Sequence, residues 1–159
     1  IGALLDWIAT QPNLDASRVA VIGGSYGGYV SLASMTLYND KLKCGVDLFG
    51  ISNFVSFLKN TSAYRADLRR AEYGDERDPK MVEYFQKISP MTNIKNITKP
   101  MFVYQGENDP RVPLSESEQM VEALKQNGVT VSYIRANDEG HGIAKKANRD
   151  YTFAVISWF

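Results

Sequence analysis

The stretch RVAVIGGSYGGY, residues 18–29, decides the fold of this chain. Its first half is apolar and rich in β-branched residues, which predicts a short buried strand over 18–23. Its second half surrounds Ser25 with four glycines, and helical spacing follows from Tyr26 to Tyr38. A Gly-x-Ser-x-Gly pattern between a strand and a helix is typical of a tight turn that projects the serine hydroxyl from the carboxyl edge of a sheet. The alternative is a phosphate-binding or packing turn at a helix N-terminus.

Three further apolar runs predict strands, namely CGVDLFG (44–50), MFVYQG (101–106) and VTVSYIRA (129–136). Each run is followed by a loop and a helical pattern, and such alternation is typical of a parallel sheet with right-handed crossovers. Residues 53–98 depart from the alternation and predict two or three short amphipathic helices within the same domain. We therefore predict one α/β domain, with a truncated parallel sheet of about four strands and helices on both faces.

The composition of the chain excludes several functions. Its 18 Lys and Arg residues balance 18 Asp and Glu residues, so we expect no nucleic-acid partner. No apolar run reaches the length of a membrane-spanning helix and the first residues do not resemble a signal peptide, so we expect no membrane contact and a cytoplasmic location. Cys44 is the only cysteine, which excludes an internal disulfide. We expect no metal or other cofactor.

A serine hydroxyl needs a base to become a nucleophile, and an imidazole is the usual one. His141, the only histidine, lies in DEGHG (138–142) directly after the last predicted strand. In a parallel sheet that loop emerges at the same edge as Ser25. The sequence therefore predicts His141 as the base.

The base in turn needs a carboxylate that orients it. Asp109, in QGENDPRVP (105–113) after the third predicted strand, is the best candidate. The resulting chain order of nucleophile, acid and base is that of the α/β-hydrolase fold. Other carboxylates fit less well because they lie nearer a strand end, too near His141 or within a strand: Glu107, Asp138, Glu139 and Asp47.

The two ends of the chain show helical spacing without capping residues, which predicts that it begins and ends inside helices and that further polypeptide precedes it. The backbone N–H of Tyr26 is the predicted first oxyanion donor, and the second would come from a loop after an earlier strand. Without that strand, we expect strand 18–23 to form an apolar sheet edge that pairs with a second copy or with a separate polypeptide.

These motifs resemble those of the prolyl oligopeptidase family of serine peptidases. GGSYGGY, GENDPRVP and DEGHG match its three catalytic motifs, and YGDERDP, ISPMTNIKNITKP and SEQM match its connecting segments. The resemblance covers residues 1–159 and implies the C-terminal part of a catalytic α/β-hydrolase domain, without its first strands and without the family's N-terminal β-propeller. It implies Ser25 as nucleophile, Asp109 as orienting acid, His141 as base and the Tyr26 amide as oxyanion donor.

The resemblance also implies that the segment after the second strand lines the substrate pocket. Phe54, Phe57 and Tyr64 are its aromatic candidates, although aromatic residues at helical spacing are also typical of a core. Arg111 is interpreted as an ion-pair partner that holds the aspartate loop, or as a solvated surface charge.

Two classes of function remain open. The first is a serine hydrolase that acts on short peptides through an acyl-enzyme at Ser25, or a carboxylesterase with the same three residues. The second is a non-catalytic module that forms a homodimer through the exposed strand 18–23.

Overall fold

The computed structural model describes residues 1–159, and strands alternate with helices along the chain. The strands are β1 (Ala20–Gly24), β2 (Cys44–Leu48), β3 (Met101–Gly106) and β4 (Val131–Ala136). The helices are α1 (Gly2–Ala9), α2 (Tyr26–Leu37), α3 (Phe54–Asn60), α4 (Ala63–Tyr73), α5 (Pro79–Ile88), α6 (Leu114–Gln126) and α7 (Lys146–Trp158). Short 3-10 helices cover Ala16–Arg18 and Pro90–Asn96.

The four strands form one parallel sheet in the order β1-β2-β3-β4. This confirms the predicted α/β architecture and its strand number. Because all strands run the same way, the segments that follow them leave the sheet at one edge. Ser25 follows β1 directly, while the loops after β3 and β4 carry Asp109 and His141. The topology thus brings three distant parts of the sequence to one place.

Helices cover both faces of the sheet, as predicted. On one face a core cluster joins α2 and α6 to the first residue of β3, with Leu32, Met35, Met101, Met120 and Leu124 at its centre. On the other face α7 packs on alternate residues of β2 and β3, namely Val46, Leu48, Phe102 and Tyr104. Each buried large side chain contributes about 1.5–3 kcal/mol, so these two layers hold the sheet rigid beneath the carboxyl edge.

The excursion between β2 and β3 contains three helices, the upper limit of the prediction, and has its own apolar cluster. Asn53 caps α3 and Asp78 caps α5, because each side chain accepts a hydrogen bond from a backbone N–H of the first helical turn. Pro79 stands at the first position of α5, where a missing N–H costs nothing. The cluster itself consists of Ile51, Phe54, Phe57, Leu58, Phe85 and Val112.

Several boundaries differ from the predictions, among them the end of β2, which lies at Leu48 rather than residue 50. β1 begins at Ala20 rather than residue 18, and β4 begins at Val131 rather than residue 129. The last helix already begins at Lys146, five residues before the periodic apolar positions that predicted it. Polar first turns carry no apolar period, so periodicity alone places such a helix start too late.

Strand β1 lies at one edge of the sheet. Its residue Ile22 is in register with Val46, so it lies on the same sheet face as α7, yet it stays 53% exposed. None of the helices combines the length and the apolar character needed to cross a lipid bilayer.

Candidate active site

Ser25 occupies a strained turn between β1 and α2. Its φ of 59° lies in the left-handed region that side-chain-bearing residues seldom adopt. Its backbone N–H donates to the carbonyl oxygen of Leu48 at 2.9 Å, which ties the turn to the end of β2. A Cβ at Gly23 would overlap the carbonyl group of Gly27. Gly23, two residues before the serine, is therefore required by the close approach of strand and helix.

His141 reaches both of its predicted partners. Its Nε2 lies 2.9 Å from Ser25 Oγ, and its Nδ1 lies 2.7 Å from Asp109 Oδ2. A carboxylate only accepts hydrogen bonds, so Nδ1 carries the proton and donates it to Asp109. Nε2 is then the free acceptor for the Ser25 hydroxyl. These three side chains come together as predicted, in the arrangement that lets an imidazole remove a proton from a serine.

Asp109 is held by backbone and side-chain donors. Its side chain has no solvent exposure. Oδ1 accepts hydrogen bonds from the backbone N–H groups of Arg111 at 2.7 Å and Val112 at 3.0 Å, and Oδ2 accepts a further one from Gln105 Nε2 at 3.2 Å. Such donors stabilise a buried carboxylate and fix its direction. Asp109 is thus aimed at His141 by its own loop.

The other carboxylates near the carboxyl edge of the sheet pair with groups other than His141. Glu107 pairs with Arg135 at 3.0 Å, and Asp138 pairs with Lys145 at 2.6 Å. Glu139 accepts hydrogen bonds from the backbone N–H groups of Ala144 and Lys145, so it shapes the loop that carries His141.

Asp47 is buried in β2 and serves the turn that follows. Its Oδ1 accepts a hydrogen bond from the backbone N–H of Gly50 at 2.9 Å. A Cβ at either Gly28 or Gly50 would overlap the same oxygen, so the two glycines make room for the carboxyl group. Burial raises the pKa of Asp47 to about 7, and the nearby carboxylate of Glu116 adds to the shift.

Tyr26 begins α2 directly after Ser25. The N–H groups of a first helical turn have no acceptor within their helix, so the Tyr26 amide is available to a ligand beside Ser25. The Tyr26 ring is about half exposed and stacks on the ring of Tyr73, with centroids 6.2 Å apart. A second tyrosine, Tyr29, lies against Tyr26 at 5.3 Å.

The predicted pocket residues need correction. Phe54 and Phe57 are 2% and 0% exposed, because both point into the apolar cluster of the excursion and offer no surface to a substrate. Tyr64 is 75% exposed on α4, where the Arg65 guanidinium lies 5.9 Å from its ring. Arg111 is exposed and forms no ion pair; only its backbone N–H supports Asp109.

Sequence reasoning missed three residues at this site. Tyr73 comes from the end of α4, and no motif marks it. Gln105, fully buried in β3, is a donor to Asp109, a role that the sequence did not assign to it. Phe49 follows β2, and its ring centroid lies 4.9 Å from that of His141. The only available signal was position, since Gln105 and Phe49 lie at carboxyl ends of strands.

Comparisons with known proteins identify the family of the chain. A family model described as the prolyl oligopeptidase family matches residues 1–159. Dipeptidyl aminopeptidase BIII of Pseudoxanthomonas mexicana is 36% identical over 158 residues, which cover 98% of this chain and 23% of that protein. Dipeptidyl peptidase family member 6 of Caenorhabditis elegans is 40% identical over 136 residues, which cover 83% of this chain and 18% of that protein. The chain thus spans less than a quarter of the length of these relatives.

A solved structure gives the same fold. The uncomplexed acylaminoacyl peptidase of Pyrococcus horikoshii superposes with a TM-score of 0.86 at 22% sequence identity. The match covers 98% of this chain and 26% of that one. At 22% identity, this structural likeness establishes the α/β-hydrolase fold alone.

Proposed function

The chain belongs to the prolyl oligopeptidase family, and on that premise we propose that it is a serine hydrolase that cleaves peptide bonds of short peptides through an acyl-enzyme at Ser25. The single observation that carries the proposal is the continuous hydrogen-bonded path from Ser25 Oγ through His141 to Asp109. Peptide substrates are favoured because the two relatives described above are named as dipeptidyl peptidases.

The reaction follows from the atoms in contact. His141 Nε2 takes the Ser25 proton while Oγ attacks the carbonyl carbon of the substrate. The N–H of Tyr26 donates to the oxyanion that develops, and Asp109 stabilises the imidazolium. The imidazolium then protonates the leaving amine, which breaks the peptide bond and leaves Ser25 acylated. Water, deprotonated by His141 in the same way, hydrolyses the ester and restores the serine.

Labelling by a fluorophosphonate tests the proposal directly, because only an activated serine displaces the fluoride and becomes phosphonylated. We expect one label per chain, and we expect Ser25→Ala to abolish it. Ser157→Ala is the matched control, since the Ser157 hydroxyl lies on α7 and donates to the carbonyl oxygen of Phe153. Labelling that survives in Ser25→Ala, or that is absent from the unaltered protein, would refute a catalytic Ser25.

A carboxylesterase would use the same three residues, so a second assay separates the two activities. We expect turnover of a short peptide anilide as well as of a short acyl nitrophenyl ester. Turnover of the ester alone would favour the esterase.

We further propose that β1 pairs with β1 of a second copy. As an edge strand, β1 has backbone donors and acceptors without partners, and the side chain of Ile22 beside them is half exposed. The net charge of the chain is zero, so charge repulsion between two copies is small. Light scattering should give a concentration-dependent dimer that Ile22→Lys weakens. Trp158→Lys, at an exposed position of α7, should leave the dimer intact. A monomer at all concentrations would contradict the pairing.

A further inference from the structure

The non-glycine residues with positive φ are two, Ser25 at 59° and Phe49 at 48°. A bulky residue in this region is strained and persists only where its surroundings enforce the conformation. The two lie in neighbouring turns that are joined by the hydrogen bond from Ser25 N–H to Leu48 O. The strain at Ser25 is explained by its hydroxyl, which the turn directs at His141 Nε2. The strain in the turn at Phe49 needs a different explanation, because Phe49 carries no reactive group.

The strained backbone places the Phe49 ring beside His141, Tyr104 and Gly24. The ring centroid lies 4.9 Å from that of His141 at an interplanar angle of 60°, and 6.3 Å from that of Tyr104. A Cβ at Gly24 would come within 3.2 Å of the same ring. The ring therefore fills the gap that β2 leaves between the serine turn and the histidine loop.

Several contacts hold Phe49 there. Its backbone N–H donates to the carbonyl oxygen of Tyr104 at 2.7 Å, across the end of β2 and β3. The following N–H, of Gly50, donates to the buried Asp47 carboxyl group at 2.9 Å. The turn is thus fixed on both sides of the strained residue.

The His141 ring needs a neighbouring side chain that limits its rotation. Its two hydrogen bonds leave from opposite sides of the ring, so they fix a line through Nδ1 and Nε2 but not rotation about that line. Gly140 and Gly142 flank the residue, and Gly142 has a φ of 144°, so the local backbone restrains the ring weakly. The Phe49 ring, tilted by 60° against the imidazole at 4.9 Å, supplies the missing restraint.

We propose that Phe49 is a positioning residue that fixes the rotation of the His141 ring, a role that rests on the proposed function of His141 as the base. The strained backbone of Phe49 directs its ring against the imidazole, and Asp47 anchors the turn by accepting from the N–H of Gly50. Phe49→Gly distinguishes the role of the ring from that of the backbone, because glycine adopts positive φ freely and keeps the turn without the ring.

The test uses His141 as its own reporter. Because it is the only histidine, a single Nδ1 proton resonance reports its hydrogen bond to Asp109. We expect a strongly downfield resonance in the unaltered protein and in Phe49→Tyr, which keeps the aromatic face. We expect Phe49→Gly to broaden or lose this resonance and to slow fluorophosphonate labelling about 10- to 100-fold.

Further variants keep the test decisive. Phe49→Leu retains apolar volume without a flat face and replaces Phe49→Gly if that variant does not fold. Phe153→Ala removes an exposed ring from α7 and should change neither readout. A normal resonance in both Phe49→Gly and Phe49→Leu would overturn the positioning role. If the unaltered protein is not labelled, the proposed function fails, whereas the resonance still decides whether Phe49 holds the ring.

Discussion

Gly106, the last residue of β3, lies so close to Gly140 that a Cβ added to Gly106 would overlap the carbonyl oxygen of Gly140. This contact joins the loop that carries Asp109 to the loop that carries His141. Two hydrogen bonds reinforce it, from Asn108 N–H to Glu139 O at 3.0 Å and from Asn108 Nδ2 to the carbonyl oxygen of Asn137 at 2.8 Å. The distance between acid and base is therefore set by backbone packing.

Gly106→Ala should separate the two loops. We expect a loss of about 1–3 kcal/mol in the free energy of unfolding, measured by urea denaturation, because the overlap is with backbone that cannot move aside. Labelling by the fluorophosphonate should also slow at least tenfold. Gly140→Ala is the matched control, since its Cβ would meet only Asn108 O at an ordinary 3.7 Å. Equal effects of the two substitutions would contradict this account.

Asp109→Asn should preserve the fold and remove the reactivity. The amide oxygen can still accept from the N–H groups of Arg111 and Val112, but its NH₂ group would face His141 Nδ1 and favour the wrong tautomer. We expect labelling to slow by about 1,000-fold or more. Asp138→Asn, in the exposed ion pair with Lys145, should label normally. Full reactivity of Asp109→Asn would exclude this carboxylate from the site.

Glu116→Ala should destabilise the protein. This buried carboxylate on α6 accepts hydrogen bonds from the N–H groups of Ser52 and Asn53 and from the hydroxyl of Ser56. Its removal leaves buried donors at the start of α3 without partners, which costs about 2–4 kcal/mol in the free energy of unfolding. Glu122→Ala, at an exposed position of the same helix, should cost under about 0.5 kcal/mol. Urea denaturation of both variants measures the difference.

Asp47→Asn should flatten the pH dependence of stability. Burial raises the pKa of Asp47 from 3.8 to about 7. Between these values the unfolded chain has released a proton that the folded protein still holds, so the free energy of unfolding falls as pH rises, by at most about 1.4 kcal/mol per pH unit. Asparagine cannot titrate and removes this contribution. Glu116, whose pKa burial also raises, retains its own part of the slope.

The comparison is made by urea denaturation at several pH values between 4 and 8. Asp40→Asn is the control, because Asp40 is exposed and should leave the slope as it is. A slope in Asp47→Asn equal to that of the unaltered protein would contradict a buried, titrating Asp47.

Local sequence patterns were enough to predict the sheet and the positions of Ser25, Asp109 and His141. Each strand is a short apolar run, and Ser25, Asp109 and His141 each follow such a run, so chain order alone placed them at one edge. Phe49, Gln105 and Tyr73 escaped because their importance depends on neighbours in adjacent elements. Phe54 and Phe57 were misassigned because helical spacing identifies an apolar face but not whether that face meets a core or a cleft.

The sheet order has one further consequence. Ser25, Asp109 and His141 follow β1, β3 and β4, so the spacing of the reactive atoms is a property of the sheet and of the loops that touch at its edge. The helices of residues 54–88 contribute none of those atoms. They reach the site through Tyr73, which stacks on Tyr26, so a change in these helices alters the surface beside Ser25 without moving the three reactive side chains.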